Sequence, residues 1–379
     1  MNDPALKEAV SEAKAIYREL HKHPELGFDL PCTVALVERK LREYGIAYTE
    51  KYGRSSVVAE IGQGDGITAL RADMDALPVT EQSGLPFSSE IEGRMHACGH
   101  DSHTAILLAA AGYLKRHEQT LSRRVRFIFQ PSEECAVSGA LMMVENGVMD
   151  GVCEILATHC EPRWPTGTIG VCRGPFHAAC IPLSLTFLGK SAHATMPENG
   201  IDAIAMAHDA YGKMKERVGE LARGKKYIWS VGRFVGGQAH NVIADRCEMD
   251  ISFRYYDEDF AKEAERAVRA VCDETAGAYG GSYLLDWHVS TGAVVNDAAL
   301  CDALTASAQK EGITVREIPP KMSSEDFGWY LTKARGVQFE YGTGNAEKGT
   351  CEDIHTCRFK IDEDALVYPI QTMIAYVTR

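Results

Sequence analysis

Thiol, imidazole and carboxylate side chains lie close together in residues 95–107, MHACGHDSHTAIL, at the start of a strongly apolar run. Cys98, His100, Asp101 and His103 fall within six positions of this segment. Thiolates and imidazoles bind zinc and related transition metals, so the segment is a candidate metal site. A cysteine beside a histidine base could also be a nucleophile, and a polar loop capping a buried helix is a third interpretation. These residues alone leave all three open.

The spacing of the thiol and the first imidazole indicates the local structure that must hold them. Side chains two residues apart on a helix point away from each other, so we expect Cys98 and His100 in a loop. A helix over residues 102–116 would follow, and Gly99 favours a tight loop before it. A nucleophile and its base usually come from distant segments, which weighs against a catalytic pair so close in sequence.

Two adjacent carboxylates in the segment QPSEE form a second group that could do chemistry. Glu133 and Glu134 taken alone would be a solvated pair. Neighbouring carboxylates can also act separately, one binding a metal and the other serving as general base. His159 in ATHC and His355 in DIHTC are further candidates, although each alone would be an ordinary strand-end or surface-loop histidine.

The elements that must position these groups alternate between helices and strands in the first half of the chain. Apolar spacing predicts an amphipathic helix over residues 4–20, in addition to the helix at 102–116. The β-rich runs predict short strands at residues 56–61, 67–72, 125–130 and 154–159. This order is typical of an α/β fold with buried strands.

Polar side chains come at the carboxyl ends of these predicted strands. Asp73 and Asp75 follow the second strand, Glu133 and Glu134 follow the third, and His159 ends the fourth. Ligands of open α/β sheets bind outside the carboxyl ends of the strands. We therefore expect these groups to converge on one crevice.

The middle of the chain has a different pattern. Strand-like alternation, a helix, two strands, a second helix and a last strand near 283–289 follow one another from residue 181. This βαββαβ order is a ferredoxin-like unit, which we expect to be inserted into the first domain. The predicted catalytic domain is 1–178 plus 291–379, and the predicted inserted domain is 179–290.

Composition excludes some classes of protein. The 379 residues are 45% hydrophobic and 25% charged, and the formal net charge of −13 argues against nucleic-acid binding, which needs clustered basic residues. The first residues lack the apolar run of a secretory signal, and the longest apolar stretch is far shorter than the roughly 20 residues that span a bilayer. The 12 cysteines include no CxxC pair and are expected to be reduced. We expect a soluble, cytoplasmic protein without a membrane partner.

Seven segments in this order resemble the M20 metallopeptidase superfamily. The resemblance is strongest to its amidohydrolase branch, subfamily D, which includes hippurate hydrolases, aminoacylases, N-acetyldiaminopimelate deacetylases and auxin-conjugate hydrolases. It covers nearly the whole chain. The segments are HKHPELGF, LRADMDALPV, MHACGHDSHT, FQPSEE, GKSAHATMP, GGQAHNVIAD and SSEDFGWYL.

The resemblance implies a fold and an assembly. The fold is an α/β, M20-type catalytic domain with the inserted ferredoxin-like domain acting as a lid and dimerisation surface. A homodimer or higher homo-oligomer through the lid is therefore expected.

The same resemblance implies a dinuclear metal centre with two divalent ions per subunit. Cys98 would bridge the two metals, His100 and His159 would complete one site, and Glu134 with His355 would complete the other. Manganese, zinc, nickel and cobalt all suit such ligands. Two cations would depress the thiol pKa and offset the thiolate charge, which makes a bridging cysteine physically sensible.

Catalytic roles also follow from the resemblance. Glu133 would be the general base for the hydrolytic water and later deliver the proton to the leaving amine. Asp75 would orient a metal ligand. Asp73, Asp101 and His103 would either do likewise or have structural roles in the loop.

The resemblance places substrate recognition in the inserted domain. His193 would reach the reacting carbonyl oxygen, and Asn241 and Arg254 would meet the substrate carboxylate, for which the planar fork of arginine is suited. The alternative for Arg254 is a surface residue paired with its strand neighbours Asp250 and Ser252.

The expected function is metal-dependent hydrolysis of the amide bond of N-acyl amino acids. The alternatives within the enzyme class are an N-acetyldiaminopimelate deacetylase and a small-dipeptide hydrolase. A non-catalytic metal or amino-acid binding protein is disfavoured because Glu133, which has no ligand duty, stands beside a complete ligand set. A cysteine-dependent hydrolase using Cys98 is the third class.

Overall fold

The computed structural model describes residues 3–379, which divide into two compact units. The first unit comprises the chain up to Phe176 together with Val294–Pro320 and Asp326–Arg379. The second comprises His177–Ala293 and Lys321–Glu325. The short segment Lys321–Glu325 was expected in the first unit, within residues 291–379. It belongs to the second unit through contacts with residues distant in sequence, which no local pattern predicts. The hydroxyl of Tyr256, for example, donates to the carbonyl of Lys321 over 2.6 Å.

The helices and strands are numbered in chain order. The helices are α1 Pro4–Lys22, α2 Pro31–Glu43, α3 His100–Arg116, α4 Gly139–Glu145, α5 Ala203–Ala222, α6 Glu258–Tyr279, α7 Ala298–Lys310, α8 Gly328–Leu331 and α9 Val367–Val377. The strands are β1 Tyr48–Thr49, β2 Val57–Ile61, β3 Ile67–Asp73, β4 Arg124–Gln130, β5 Val152–Pro165, β6 Thr168–Val171, β7 Gly174–His177, β8 Ala179–Leu188, β9 Ile228–Gly236, β10 Arg246–Tyr255, β11 Ser282–Asp286, β12 Val294–Asn296, β13 Thr314–Glu317 and β14 Arg335–Gly344.

The first unit is built on an eight-stranded sheet with the order β1-β2-β4-β3-β5-β14-β6-β13. Strands β4, β3, β5 and β14 run parallel to their neighbours in this series. Every residue of β3 is buried, as expected of a central strand covered on both faces. The predicted α/β class is therefore confirmed, and the carboxyl ends of these strands share one edge of the sheet.

Helix α3 packs against the sheet and is buried over almost its whole length, because its residues from Ala105 to Ala111 are apolar on all sides. It begins at His100 rather than near residue 102. The expectation that His100 lies in the preceding loop is wrong, and the helix also includes Asp101. Gly99, with φ of 85°, turns the chain sharply so that Cys98 precedes the helix and His100 opens it.

The second unit has the predicted βαββαβ order. Its four strands pair antiparallel in the order β11-β8-β10-β9, which is the ferredoxin-like arrangement. Strand β10 alternates buried and half-buried residues along its length, since one face packs on α5. The last strand ends at Asp286 and does not reach residue 289, because β11 pairs with β8 only over Ser282–Asp286. Within residues 3–379, each helix is too short or too polar to cross a bilayer.

Candidate metal centre

The five side chains expected to bind metal come together at the carboxyl edge of the sheet in the first unit. Cys98 lies just before α3, His100 opens that helix, and Glu134 follows β4. His159 was expected at a strand end but lies within β5, which continues to Pro165. His355 lies in an irregular segment, where its backbone N–H donates to the carbonyl of Ala97 over 2.7 Å.

The donor atoms are spaced as ligands of shared ions would be. The Sγ atom of Cys98 is 3.4 Å from Nε2 of His159 and 3.3 Å from Nε2 of His355. The latter atom is 3.1 Å from Oε1 of Glu134. Two ligand atoms of one tetrahedral zinc ion are separated by about 3.5 Å when each lies at its usual bond length. These side chains are therefore close enough to share cations.

Two groups of donors share the thiol. Cys98, His100 and His159 form one, and Cys98, Glu134 and His355 form the other, with all donor atoms of a group within 4.8 Å of one another. His159 is also oriented as a ligand, since its Nδ1 lies 2.8 Å from the carbonyl oxygen of Cys160 and so can donate to it. That hydrogen bond leaves the lone pair of Nε2 directed toward Cys98.

His100 tests whether the site suits a cation. Its imidazole is fully buried, and neither ring nitrogen has a hydrogen-bond partner. Burial alone would lower its pKa, but the neighbouring carboxylates Asp73 and Asp75 raise it to about 10. A strongly negative environment around an unpartnered buried nitrogen is what a divalent cation would satisfy in place of the proton. The residues present therefore fit a metal centre.

The environment of Cys98 does not suit a free thiolate. Burial, followed by the charge of Glu134, raises the pKa of its thiol well above the usual value. A cysteine nucleophile needs a lowered pKa, whereas bound cations would deprotonate this thiol outright. The geometry supports a ligand role over a nucleophilic one.

Asp75 holds the loop that carries the two adjacent glutamates. Its Oδ1 accepts the backbone N–H of Glu133 over 2.9 Å, and its Oδ2 accepts that of Glu134 over 3.1 Å. Its Oδ1 is also 3.5 Å from Nδ1 of His100. The carboxylate of Glu133 reaches to 3.9 Å from Nε2 of the same histidine. Asp75 is thus placed to orient Glu133, Glu134 and the imidazole of His100.

The backbone of two loops near the centre adopts uncommon conformations. Ser132 has φ of 54° and the candidate ligand His355 has φ of 63°, in the left-handed region that side chains other than glycine seldom occupy. The loop after β4 closes tightly, since a Cβ on Gly139 would overlap the carbonyl oxygen of Pro131. Strained backbone of this kind is common where side chains must be held for function.

The remaining polar residues of the motif serve the structure around the ligands. His103 has Nδ1 2.6 Å from Oδ1 of Asp73, and its Nε2 accepts the backbone N–H of Cys160 over 2.9 Å. Burial lowers the pKa of His103 to about 4, so it is a neutral imidazole protonated at Nδ1. Asp101 instead pairs with His21, with Oδ2 2.6 Å from Nδ1.

Two of the predicted substrate residues lie together in the second unit. His193 forms a β-bridge with Val242, and the backbone N–H of Ala194 donates to the carbonyl of Asn241 over 3.0 Å. Nδ1 of His193 accepts the backbone N–H of Thr195 over 3.3 Å. A neutral imidazole in that arrangement carries its proton on Nε2, where it can donate to an oxygen atom.

Arg254, the third, is half-buried on β10. Its Nη1 donates to the carbonyl of Met322 over 3.0 Å and to the hydroxyl of Ser324 over 3.3 Å. Its Nε lies 3.3 Å from Oγ of Ser252, whereas Asp250 accepts instead from Ser184 over 2.9 Å. The structure therefore places Arg254 against the segment Lys321–Glu325 of its own unit.

Two charged residues behind the centre received no role from the sequence. Arg71 and Asp326 are fully buried and paired, with Nη2 2.9 Å from Oδ1. The signal for Arg71 was a basic residue in the interior of the predicted buried strand β3. The segment SSEDF, which contains Asp326, contributed to the family resemblance without a function of its own.

Known proteins resemble this chain over most of its length. A model of Peptidase family M20/M25/M40 matches residues 69–379. N-acetylcysteine deacetylase of Bacillus subtilis (strain 168) is 37% identical over 362 residues, which cover 93% of each chain. N-acyl-L-amino acid amidohydrolase of Geobacillus stearothermophilus is 36% identical over 290 residues, covering 75% of this chain and 78% of the relative. A crystal structure of a dinuclear metal binding peptidase of the M20 family from Bacillus subtilis is 33% identical, with a TM-score of 0.84 and 98% of both chains covered.

Proposed function

The chain belongs to peptidase family M20/M25/M40, and from that membership we propose that it is a metal-dependent amidohydrolase that cleaves the amide bond of N-acyl amino acids. The observation that carries the proposal is the pair of donor groups sharing Cys98, with the carboxylate of Glu133 beside them. The names of two similar proteins, a deacetylase and an N-acyl amino acid amidohydrolase, support this substrate class. Membership of subfamily D stays a prediction.

Two divalent ions are proposed to bind between these donors. Cys98, His100 and His159 would hold one ion, and Cys98, Glu134 and His355 would hold the other. Manganese, zinc, nickel or cobalt would suit this mixture of sulfur, nitrogen and oxygen donors. When bound, the two ions supply a Lewis acid for the scissile carbonyl and make water more acidic.

The protein supplies the proton transfers. Glu133 takes a proton from the hydrolytic water and delivers it to the departing amine, a role that suits a carboxylate at the edge of the donor set. The hydrogen bond from its backbone to Asp75 keeps the carboxylate in place. Its side chain is 12% exposed, so solvent and substrate can reach it.

Substrate recognition is assigned to the second unit. Arg254 and Asn241 bind the carboxylate of the amino-acid part, since a guanidinium fork can hold a carboxylate through two hydrogen bonds. His193 donates from Nε2 to the carbonyl oxygen that becomes negative in the transition state. The backbone N–H of Thr195, which donates to Nδ1, is consistent with a proton on Nε2 of the neutral ring.

Metal analysis combined with a substrate panel tests the proposal. The purified protein is assayed on N-acetyl amino acids, N-benzoyl amino acids and dipeptides, with the corresponding N-acyl amines that lack the carboxylate as matched controls. We expect about two divalent ions per chain, as two-metal hydrolysis requires, and a strong preference for substrates bearing the carboxylate. Activity is expected to vanish after chelation and to return with Mn²⁺, Co²⁺, Ni²⁺ or Zn²⁺.

The same panel separates the alternatives. Selective cleavage of N-acetyldiaminopimelate or of dipeptides would replace the broad N-acyl amino acid activity with one of those two narrower functions. Full activity in a metal-free preparation would overturn the metal mechanism and favour the thiol of Cys98. A protein that binds metal but hydrolyses none of these amides would instead be a non-catalytic binding protein.

A further inference from the structure

The buried carboxylate of Asp326 is linked through hydrogen bonds, partly by way of other side chains, to two segments that carry candidate metal ligands. Asp326 is fully buried and lies in the first unit, directly before α8. It belongs to neither of the two donor groups that share Cys98. Its hydrogen bonds explain how a charged side chain can be buried at this position.

One oxygen of Asp326 leads to the ligand His159. Its Oδ1 accepts from Nη2 of Arg71 over 2.9 Å, and Nη1 of Arg71 donates to Oδ2 of Asp73 over 2.6 Å. Asp73 in turn holds His103, whose Nε2 accepts the backbone N–H of Cys160. Cys160 follows His159 directly, so this series of hydrogen bonds ends on the peptide group that joins the candidate ligand to the next residue.

The other oxygen of Asp326 leads to the loop of the two glutamates. Its Oδ2 accepts from the hydroxyl of Ser138 over 2.7 Å and from the backbone N–H of Ala140 over 3.2 Å. Ser138 caps α4, which follows the loop that carries Glu133 and Glu134. The far end of that loop is therefore tied to Asp326, as its near end is tied to Asp75.

Gln130 closes the network between these two sides. Its amide nitrogen is 2.9 Å from both oxygens of Asp326, and its amide oxygen accepts from Nε of Arg71 over 2.8 Å. Both oxygens of Asp326 thus accept hydrogen bonds, and the charge is balanced by a buried arginine. Buried charged groups are strongly destabilising unless they are paired and hydrogen-bonded, and both Asp326 and Arg71 meet that condition here.

We propose that Asp326 is a positioning residue for the metal centre, which sets the distance between His159 on one side and the Glu133–Glu134 loop on the other through Arg71 and Ser138. The inference deepens the proposed function and rests on it. A residue that only stabilised the fold would also be buried. It would not need contacts that lead both to His159 and to the Glu133–Glu134 loop.

Cobalt binding by the full chain distinguishes positioning from stability. The metal-free protein is titrated with Co²⁺, and the visible absorption of the ion reports both its dissociation constant and its ligand geometry. We expect Asp326→Asn to raise the dissociation constant for Co²⁺ about 10- to 100-fold, because substitution of the hydrogen-bond partners of metal ligands commonly weakens metal binding by that much. We also expect this variant to shift the cobalt absorption bands.

Glu154→Gln is the matched control. Glu154 is 3% exposed and is also bound by arginines, with Arg123 at 2.9 Å and Arg379 at 3.0 Å, but it lies near the start of β5 and away from the donors. We expect this variant to lower the urea midpoint of unfolding while leaving the cobalt constant and bands as in the wild type.

Three results decide the proposal. An Asp326→Asn protein with wild-type cobalt affinity and bands would overturn it, whatever its stability. If that variant does not fold, Arg71→Lys, which keeps the charge but loses the fork, is expected to shift the bands, and unchanged bands would overturn the proposal instead. A wild-type protein that binds no Co²⁺ would contradict the proposed function itself and the positioning role with it.

Discussion

Glu133 and Glu134 are neighbours in sequence with different proposed duties. Glu134 lies 3.1 Å from His355 and shares a donor group with Cys98, which suits a ligand. Glu133 lies outside the two donor groups that share Cys98, and its side chain is 12% exposed, which suits a base that the substrate must reach. At the residue scale, the proposed reaction requires that one glutamate binds metal while the other transfers the proton.

Replacing the proposed base should remove turnover without removing metal. We expect Glu133→Gln to retain about two metal ions per chain and to lower kcat about 10²- to 10⁴-fold, because general base catalysis contributes that much. Metal content by elemental analysis and kcat on an N-acetyl amino acid are the measurements. Glu134→Gln is the matched comparison and should lose metal. Near-normal kcat in Glu133→Gln would remove Glu133 from the role of base.

At the scale of elements, a buried charge cluster joins α1 to the helix that carries His100. His21, near the end of α1, lies 2.6 Å from Asp101 of α3 and 3.1 Å from Glu81. Burial opposes the charged imidazole, but the hydrogen bonds with these two carboxylates raise its pKa to about 9. A cation held between two anions therefore anchors α1 to α3.

This cluster predicts a pH-dependent contribution to stability. Because the pKa of His21 is raised from 6.5 to about 9 on folding, its contribution is fully present below pH 6.5 and is lost as the pH rises through about 9. The shift corresponds to about 3 kcal/mol. We expect His21→Gln to lower the urea midpoint strongly at pH 6 and much less at pH 10.

The neighbouring histidine supplies the control for that prediction. His23 is 43% exposed in its side chain, so His23→Gln should change the urea midpoint little at either pH. A His21→Gln effect of equal size at pH 6 and pH 10 would show that the imidazole is not charged in the folded protein.

At the scale of the whole molecule, the second unit has an unpaired strand edge that suits assembly. Strand β9 is nine residues long and lies at one edge of its sheet, and Phe234 and Val235 are about half exposed. Long exposed edge strands tend to pair with another chain. This supports the expectation of a homodimer through the second unit, which stays a prediction.

Sedimentation velocity tests the assembly. We expect the wild type to sediment as a dimer and Val235→Lys to sediment as a monomer, since a lysine on an edge strand opposes pairing. Leu284→Lys on β11, at the opposite edge and equally open to solvent, should leave the dimer intact. A monomeric wild type would contradict the prediction, and dissociation by Leu284→Lys alone would move the interface to β11.

The family and the order of elements could be read from the sequence. Apolar periodicity predicts four strands of the first unit and the ferredoxin-like order of the second, because burial of one face imposes a period on the chain. The strands β6, β13 and β14, which complete the large sheet, were not predicted. The resemblance to the M20 family is confirmed by the match over residues 69–379. The five candidate ligands followed from that resemblance, since residues 95–107 alone left a metal site, a nucleophile and a helix cap open.

Partners far apart in sequence were decided only by the tertiary structure. The pairing of Arg71 with Asp326 joins residues 255 positions apart, and no local pattern encodes such a contact. The same holds for the neighbours of Cys98, whose own segment left it open between nucleophile and ligand and which only the family resemblance assigned to metal binding. His159 and His355, brought to 3.4 Å and 3.3 Å from its sulfur, support a ligand role. Periodicity determines which face of an element is buried, whereas the side chains that meet in the interior depend on how all the elements pack.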